Sequence, residues 1–123
     1  LIIFERNNSN IVMSNSIHFD CYKGSKLVGY FELYSDYSFL NDYKKPKRKE
    51  IYIEVLGKYL RKGYATDIYK SFIRKSIDLG FTNRVFYAYI LNVNKASLAL
   101  HESLGFKRLK QLKVYTLYEV KIL

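Results

Sequence analysis

The stretch Lys49-Glu50-Ile51-Tyr52-Ile53-Glu54-Val55-Leu56-Gly57-Lys58-Tyr59-Leu60-Arg61-Lys62-Gly63-Tyr64-Ala65 decides how this chain folds. Its first eight residues carry the β-branched and aromatic side chains of a strand. Gly57 to Gly63 is a turn that holds Lys58, Arg61 and Lys62. From Tyr64 the period becomes helical: Ala65, Ile68, Tyr69, Phe72 and Leu79 fall on one face, flanked by Ile73 and Ile77. Asp67, Lys70, Ser71, Arg74 and Asp78 fall on the other. A strand that passes through a glycine turn into a helix start presents unpaired N–H groups and the positive end of a helix dipole. That is an anion site, and phosphate is its usual occupant. Gly63 lets the backbone approach the anion closely, Ala65 is small, and the three basic residues add field.

Upstream, Ser16 to Tyr22 and Leu27 to Tyr34 read as the two arms of a hairpin around Lys23-Gly24-Ser25-Lys26. Leu1 to Arg6 reads as a strand or a helix end, and Asn7 to Asn10 as a turn. Ser35 to Arg48 is a polar loop whose run Lys44-Lys45-Pro46-Lys47-Arg48 is a solvated basic segment. Downstream, Gly80 stops the helix. Arg84 to Leu91 has the continuous apolar pattern of a strand buried on both faces. Two strands joined through one helix make a right-handed βαβ unit with parallel strands. Asn94 is placed to cap a second helix that ends at Gly105. Phe106 to Leu123 reads as one long strand or a hairpin, with Tyr115, Leu117 and Tyr118 as core positions.

The chain has 123 residues, 49% of them apolar, which suits one globular domain. No apolar run approaches the roughly 18–20 residues of a membrane helix, and the first residues lack the pattern of a signal peptide. The lone Cys21 permits no intramolecular disulfide. It reads as a small buried apolar residue in a reducing, cytoplasmic compartment. The net charge of +10 attracts polyanions without choosing among nucleic acid, acidic membrane and a phosphorylated cofactor. There is no metal-ligand cluster and no Ser/His/Asp set, and His18 has no evident role.

Two motifs resemble one family. Leu60-Arg61-Lys62-Gly63-Tyr64-Ala65 resembles the acyl-CoA-binding turn of the GNAT N-acetyltransferases, Gln/Arg-x-x-Gly-x-Gly/Ala. Asn94-Lys95-Ala96-Ser97-Leu98-Ala99-Leu100-His101-Glu102-Ser103-Leu104-Gly105-Phe106 resembles the family's second signature, Asn-x-x-Ser-x-x-Leu-Tyr-x-x-Leu-Gly-Phe. The likeness covers Ser16 to Phe106 and is nearest in motif to the phosphinothricin-acetyltransferase-like branch. Two positions depart from the pattern: Leu60 replaces Gln or Arg, and His101 replaces a tyrosine that serves many members as general acid.

The resemblance implies one α/β domain over residues 1–123: a mixed, mostly antiparallel sheet with a splayed parallel pair and flanking helices. The usual N-terminal strand and helices would be abbreviated or absent. It implies transfer of an acetyl group from acetyl-CoA, with no metal, to a small-molecule amine or a peptide N-terminus. No membrane is involved, and a homodimer is compatible. Val55 and Gly57 would meet pantetheine through the backbone. Leu60, Arg61, Lys62, Gly63, Tyr64 and Ala65 would hold the pyrophosphate. Asn94 would contact the pantetheine amide or cap its helix, with Ser97 nearby. Glu50 is the first choice for the base, or else a partner of the adjacent basic run, and Glu54 is the alternative base on the same strand face. His101 would deliver a proton to the thiolate, position the amine, or simply pack. The rival readings are a ribosomal-type N-terminal protein acetyltransferase, a CoA-binding domain without turnover, and a basic nucleic-acid module. The last explains the charge but not two spaced signatures.

Overall fold

The computed structural model describes residues 2–7, 16–34, 49–78 and 85–122. The basic run Lys44 to Arg48, the turn residues Asn8 to Asn10, Leu79, the helix stop Gly80 and Arg84 lie outside these, as do the side chains of Ile77 and Asp78. Seven described strands form one sheet: β1 (Ile3–Arg6), β2 (Ser16–Lys23), β3 (Lys26–Tyr34), β4 (Glu50–Val55), β5 (Val85–Leu91), β6 (Lys107–Gln111) and β7 (Tyr115–Lys121). Their order is β1-β2-β3-β4-β5-β7-β6. Helix α1 (Tyr64–Asp78) joins β4 to β5, and α2 (Lys95–Ser103) follows β5. All pairings are antiparallel except β4 with β5. This is the expected mixed, mostly antiparallel sheet with one parallel pair, and within the stretch read as a strand or a helix end Ile3 to Arg6 forms a strand.

The parallel pair is joined at one register position, Glu50 opposite Tyr87, with the Tyr87 amide donating to the Lys49 carbonyl at 2.9 Å. Beyond that point the strands part. The Lys49 carbonyl turns toward β5, whereas the Leu56 amide donates to the Val28 carbonyl of β3 at 2.9 Å. By the alternation of an antiparallel ladder, Ile51, Ile53 and Val55 direct their N–H and C=O groups to the β5 side; the Glu50–Tyr87 pairing engages the Ile51 amide, and beyond it no described strand pairs with Ile53 and Val55.

The core lies between the sheet and α1. Phe72 stacks on Phe31 at 4.4 Å between ring centroids and meets Phe86 edge-on at 5.0 Å. Ile68, Tyr69 and Phe72 are buried, as the helical period predicts. Ser71, expected on the polar face, is buried too, because its Oγ accepts from the Ile2 amide at 3.2 Å and ties the chain's start to α1. Burial, and then the charge of Asp20, push the Cys21 thiol up to about 12, so this residue packs and does not react.

Strand β5 corrects another expectation. It alternates, burying Phe86, Ala88 and Ile90 while Tyr87 and Tyr89 stay half-buried on the other face. An apolar run rich in tyrosine hides this alternation, because the tyrosine ring counts as apolar while its hydroxyl tolerates water. In the closing hairpin Leu117 and Tyr118 are core residues, whereas Tyr115 is half-buried. Gly29 serves close approach: a Cβ there would run into the Glu54 carbonyl oxygen.

Candidate active site

Where β4 and β5 part, a cleft of about 730 Å³ opens. Its floor is β4, its near wall the turn into α1, and its far wall the end of β5, α2 and Tyr115. The turn is built in three steps. Leu56 is extended, Gly57–Tyr59 makes a single 3₁₀ turn, and Leu60 is extended again, its amide donating to Gly57. Arg61 then adopts φ 62° and Gly63 φ 80°. Only after these two left-handed residues does α1 begin, with the Asp67 amide donating to the Gly63 carbonyl. The amides of Tyr64, Ala65 and Thr66, the first of the helix, have no helical acceptor and face the turn. Gly63 adopts its conformation without strain; Arg61 does so at a cost of about 1 kcal/mol or more.

Of the expected cofactor residues, Val55, Leu60, Arg61, Gly63, Tyr64, Ala65, Asn94 and Ser97 line the cleft, while Gly57 and Lys62 do not. Leu60 is 56% exposed, an apolar side chain standing in solvent. The Oδ1 of Asn94 accepts from the Ser97 amide at 3.1 Å. Capping therefore occupies that oxygen and leaves Nδ2 to donate. Next to it, Asn92 ties the β5–α2 connection to the last hairpin: its Nδ2 donates to the Leu112 carbonyl at 2.9 Å and its Oδ1 accepts from Thr116.

Both expected acids border the cleft but differ in setting. Glu50 is 2% exposed and sits at the last register pair before the splay. Glu54 is exposed at the other end of β4. His101 also borders the cleft and is 5% exposed, packed edge-on against Phe106 at 4.9 Å. Its Nδ1 lies 2.7 Å from the Ser97 carbonyl oxygen. A carbonyl only accepts, so Nδ1 carries the proton. Burial lowers the pKa of His101, and the Ser97 carbonyl opposes that only in part. The ring is thus a neutral imidazole near pH 7, with its lone pair at Nε2.

Several lining residues were not anticipated as site residues: Tyr52, Tyr59, Thr66, Tyr89, Leu100 and Tyr115. The signal available was the period-two alternation of β4 and β5, which sets Tyr52 and Tyr89 on the faces opposite Ile51 and Ile90. No group of described His, Cys, Asp and Glu residues could hold a metal ion. Among the described residues no helix is long and apolar enough to cross a membrane.

A turn that offers amides to a phosphate, beside a parted parallel pair, is the arrangement of an acyl-CoA-binding fold. The profile of the acetyltransferase (GNAT) family matches residues 4–106, and the chain belongs to that family. Its activity is acetyl transfer from acetyl-CoA to an amine. Solved structures show the same fold. The N-acetyltransferase PseH of Campylobacter jejuni, in complex with acetyl coenzyme A, has a TM-score of 0.70 at 15% identity over 98% of this chain and 99% of its own. NAA60 of Arabidopsis thaliana, in complex with acetyl-CoA, has a TM-score of 0.68 at 14% identity over 99% of both chains. An N-acetyltransferase of Staphylococcus aureus has a TM-score of 0.65 at 20% identity, covering 88% of this chain and 68% of its own. No curated protein matches the sequence.

Proposed function

We propose that this chain acetylates a small-molecule primary amine, as the phosphinothricin-like branch does, by direct attack on acetyl-CoA with Glu50 as the base. The observation that carries the proposal is the single β4–β5 register pair with buried Glu50 at its edge. Pantetheine enters the gap and pairs with the N–H and C=O groups that Ile53 and Val55 direct there. Its pyrophosphate lies over the Arg61–Gly63 turn and the first amides of α1. The ammonium of the acceptor loses its proton to Glu50, directly or through one water. The neutral nitrogen then attacks the thioester carbon, a β4 amide receives the oxyanion charge, and the C–S bond breaks as the carbonyl re-forms. CoA leaves as the thiolate, and the second proton, shed by the attacking nitrogen as it becomes an amide, passes through solvent to that sulfur. His101 does not supply that proton: its one N–H is held by the Ser97 carbonyl, so it positions the acceptor through Nε2.

The test is thiol release from acetyl-CoA across an amine panel. Glu50→Gln is expected to lower kcat by about 10²–10⁴-fold, the range for general-base catalysis, with little change in acetyl-CoA affinity. An unchanged kcat would assign Glu50 a structural role.

A further inference from the structure

In a chain of net charge +10, one face of the sheet is acidic and tyrosine-rich. The face is the one opposite α1, and register pairs define its rows. Glu5 stands opposite Asp20, Asp20 opposite Tyr30, and Tyr30 opposite Glu54. In the next row His18 stands opposite Glu32, and Glu32 opposite Tyr52. Like charges directly opposite, as at Glu5 and Asp20, destabilise a sheet.

Part of this charge is answered from within. His18 Nδ1 lies 2.9 Å from Glu32 Oε1, its Nε2 lies 3.7 Å from Asp20 Oδ1, and Asn7 Nδ2 donates to both Asp20 oxygens. The Glu54 carboxylate has no hydrogen bond or ion pair among the described residues. The charges of Glu54 and Glu32 both reach the Tyr52 hydroxyl and, after burial, raise its pKa. A second observation ties this face to a ligand. Tyr52 and Glu54 border the acetyl-transfer cleft, so the acidic rows run into the space where an acceptor must sit. Along β4, Glu50 and Glu54 are four residues apart, roughly 13 Å at the rise of a strand. One compact amine cannot reach both carboxylates; a chain carrying separated positive charges can.

We propose that this face selects the acceptor and that the acceptor is an aliphatic polyamine, one nitrogen reacting at Glu50 while a second ammonium is held by Glu54 and Glu32 under Tyr52. The proposal rests on the acetyl-transfer reading above and names its substrate class. Tyrosine faces add cation–π attraction to the carboxylates, which favours a bare ammonium over a neutral tail.

The experiment is calorimetric titration of spermidine, the monoamine n-octylamine, and a peptide with a free N-terminus and lysine at its second position into the full chain with CoA present. Thiol release from acetyl-CoA is measured beside it. Spermidine is expected to bind at least about tenfold tighter than n-octylamine, with added salt weakening it. Glu54→Gln and Glu32→Gln are each expected to weaken spermidine about three- to tenfold and to do so more than they weaken n-octylamine. Among the described residues the Glu54 carboxylate has no hydrogen-bond or ion-pair partner to lose, so its variant reports on binding even if the Glu32 variant disturbs His18. Equal affinity for the two amines, tighter binding of the peptide, or wild-type spermidine affinity in both variants would overturn the proposal. Spermidine binding without thiol release from any amine would instead sink the acetyl-transfer reading and leave the cation site standing. Turnover of n-octylamine without a spermidine preference would do the reverse.

Discussion

The two halves of the cleft are made of different material. The half proposed for the cofactor is backbone: left-handed Arg61 and Gly63, the first amides of α1, and the edge of β4 that faces the splay. The half proposed for the acceptor is side chains: Glu50, Tyr52 and Glu54 on one face of β4, with Glu32 and His18 behind them. Backbone groups are the same in every protein, so a half built from them can bind only what all its relatives bind. A half built from side chains can differ at each position, so it is where an individual member acquires its substrate. The difference also sets how each half fails. The cofactor half is damaged by anything that changes φ, the acceptor half by anything that changes charge.

Gly29 is where the halves meet, and its replacement carries the largest expected effect on the fold. A Cβ at this position would strike the Glu54 carbonyl, and backbone cannot swing aside as a side-chain tip can. Gly29→Ala is expected to destabilise the fold by about 1–3 kcal/mol through overpacking, read as a lower denaturant midpoint. Because β4 carries both halves, the variant should weaken acetyl-CoA and acceptor together. An unchanged midpoint would mean that β3 and β4 can separate freely, and the contrast between rigid backbone and variable side chains would lose its basis.

Gly63→Ala separates the halves. At φ 80° an alanine is strained by about 1–2 kcal/mol, although no atom lies near enough to clash with its Cβ. The strain is relieved by shifting the turn, which moves the amides of α1 off the pyrophosphate. Acetyl-CoA affinity is expected to fall about tenfold by calorimetry, while the binding of an amine to the CoA-free chain is unaffected. A loss confined to the amine would reverse the assignment of the two walls.

The same contrast explains what could be read in advance. The strand, turn and helix from Lys49 onward, the cap at Asn94 and the glycine at Gly105 were legible because each answers a local backbone demand, and local demands leave local signatures. The face of β5 was misread because Tyr87 and Tyr89 look apolar in composition yet stay only half-buried. Ser71 was misplaced because its burial depends on the Ile2 amide, 69 residues away in the chain. His18 had no role in sequence because Glu32 becomes its neighbour only through strand pairing, and Asp20 shares its face only once β2 is extended. The acceptor half was therefore the less legible one: it is assembled across β2, β3 and β4 from residues that carry no motif.

Protonation offers a smaller handle on the far wall. Burial lowers the pKa of His101 below its ordinary 6.5, so the unfolded chain takes up this proton before the folded one does. The contribution of His101 to stability is therefore whole above about pH 6.5 and is lost progressively as pH falls through the folded-state value. Wild type should lose thermal stability on going from about pH 7 to about pH 5. His101→Gln should start less stable, having lost its packing against Phe106, but should show a shallower decline. A steeper acid decline in the variant would mean that the imidazole is charged in the fold, and its part as a lone-pair acceptor would fall with that.

The smallest expected effect tests whether the cofactor half is as complete as its backbone suggests. Leu60 borders the cleft and is 56% exposed, so nothing in the core depends on it. A guanidinium at this position could reach a phosphate oxygen from the extended residue that precedes the left-handed pair. At such exposure water screens the new interaction, and up to about 1 kcal/mol is available. Leu60→Arg should therefore tighten acetyl-CoA up to about fivefold at low salt, with the gain shrinking as ionic strength rises and the melting temperature of the ligand-free chain unchanged. If the affinity does not move, the backbone amides and Arg61 already saturate the pyrophosphate, and the departure at Leu60 is without consequence for binding. If it rises far more than fivefold, the amides contribute less than their geometry implies, and the cofactor half depends on side chains as much as the acceptor half does.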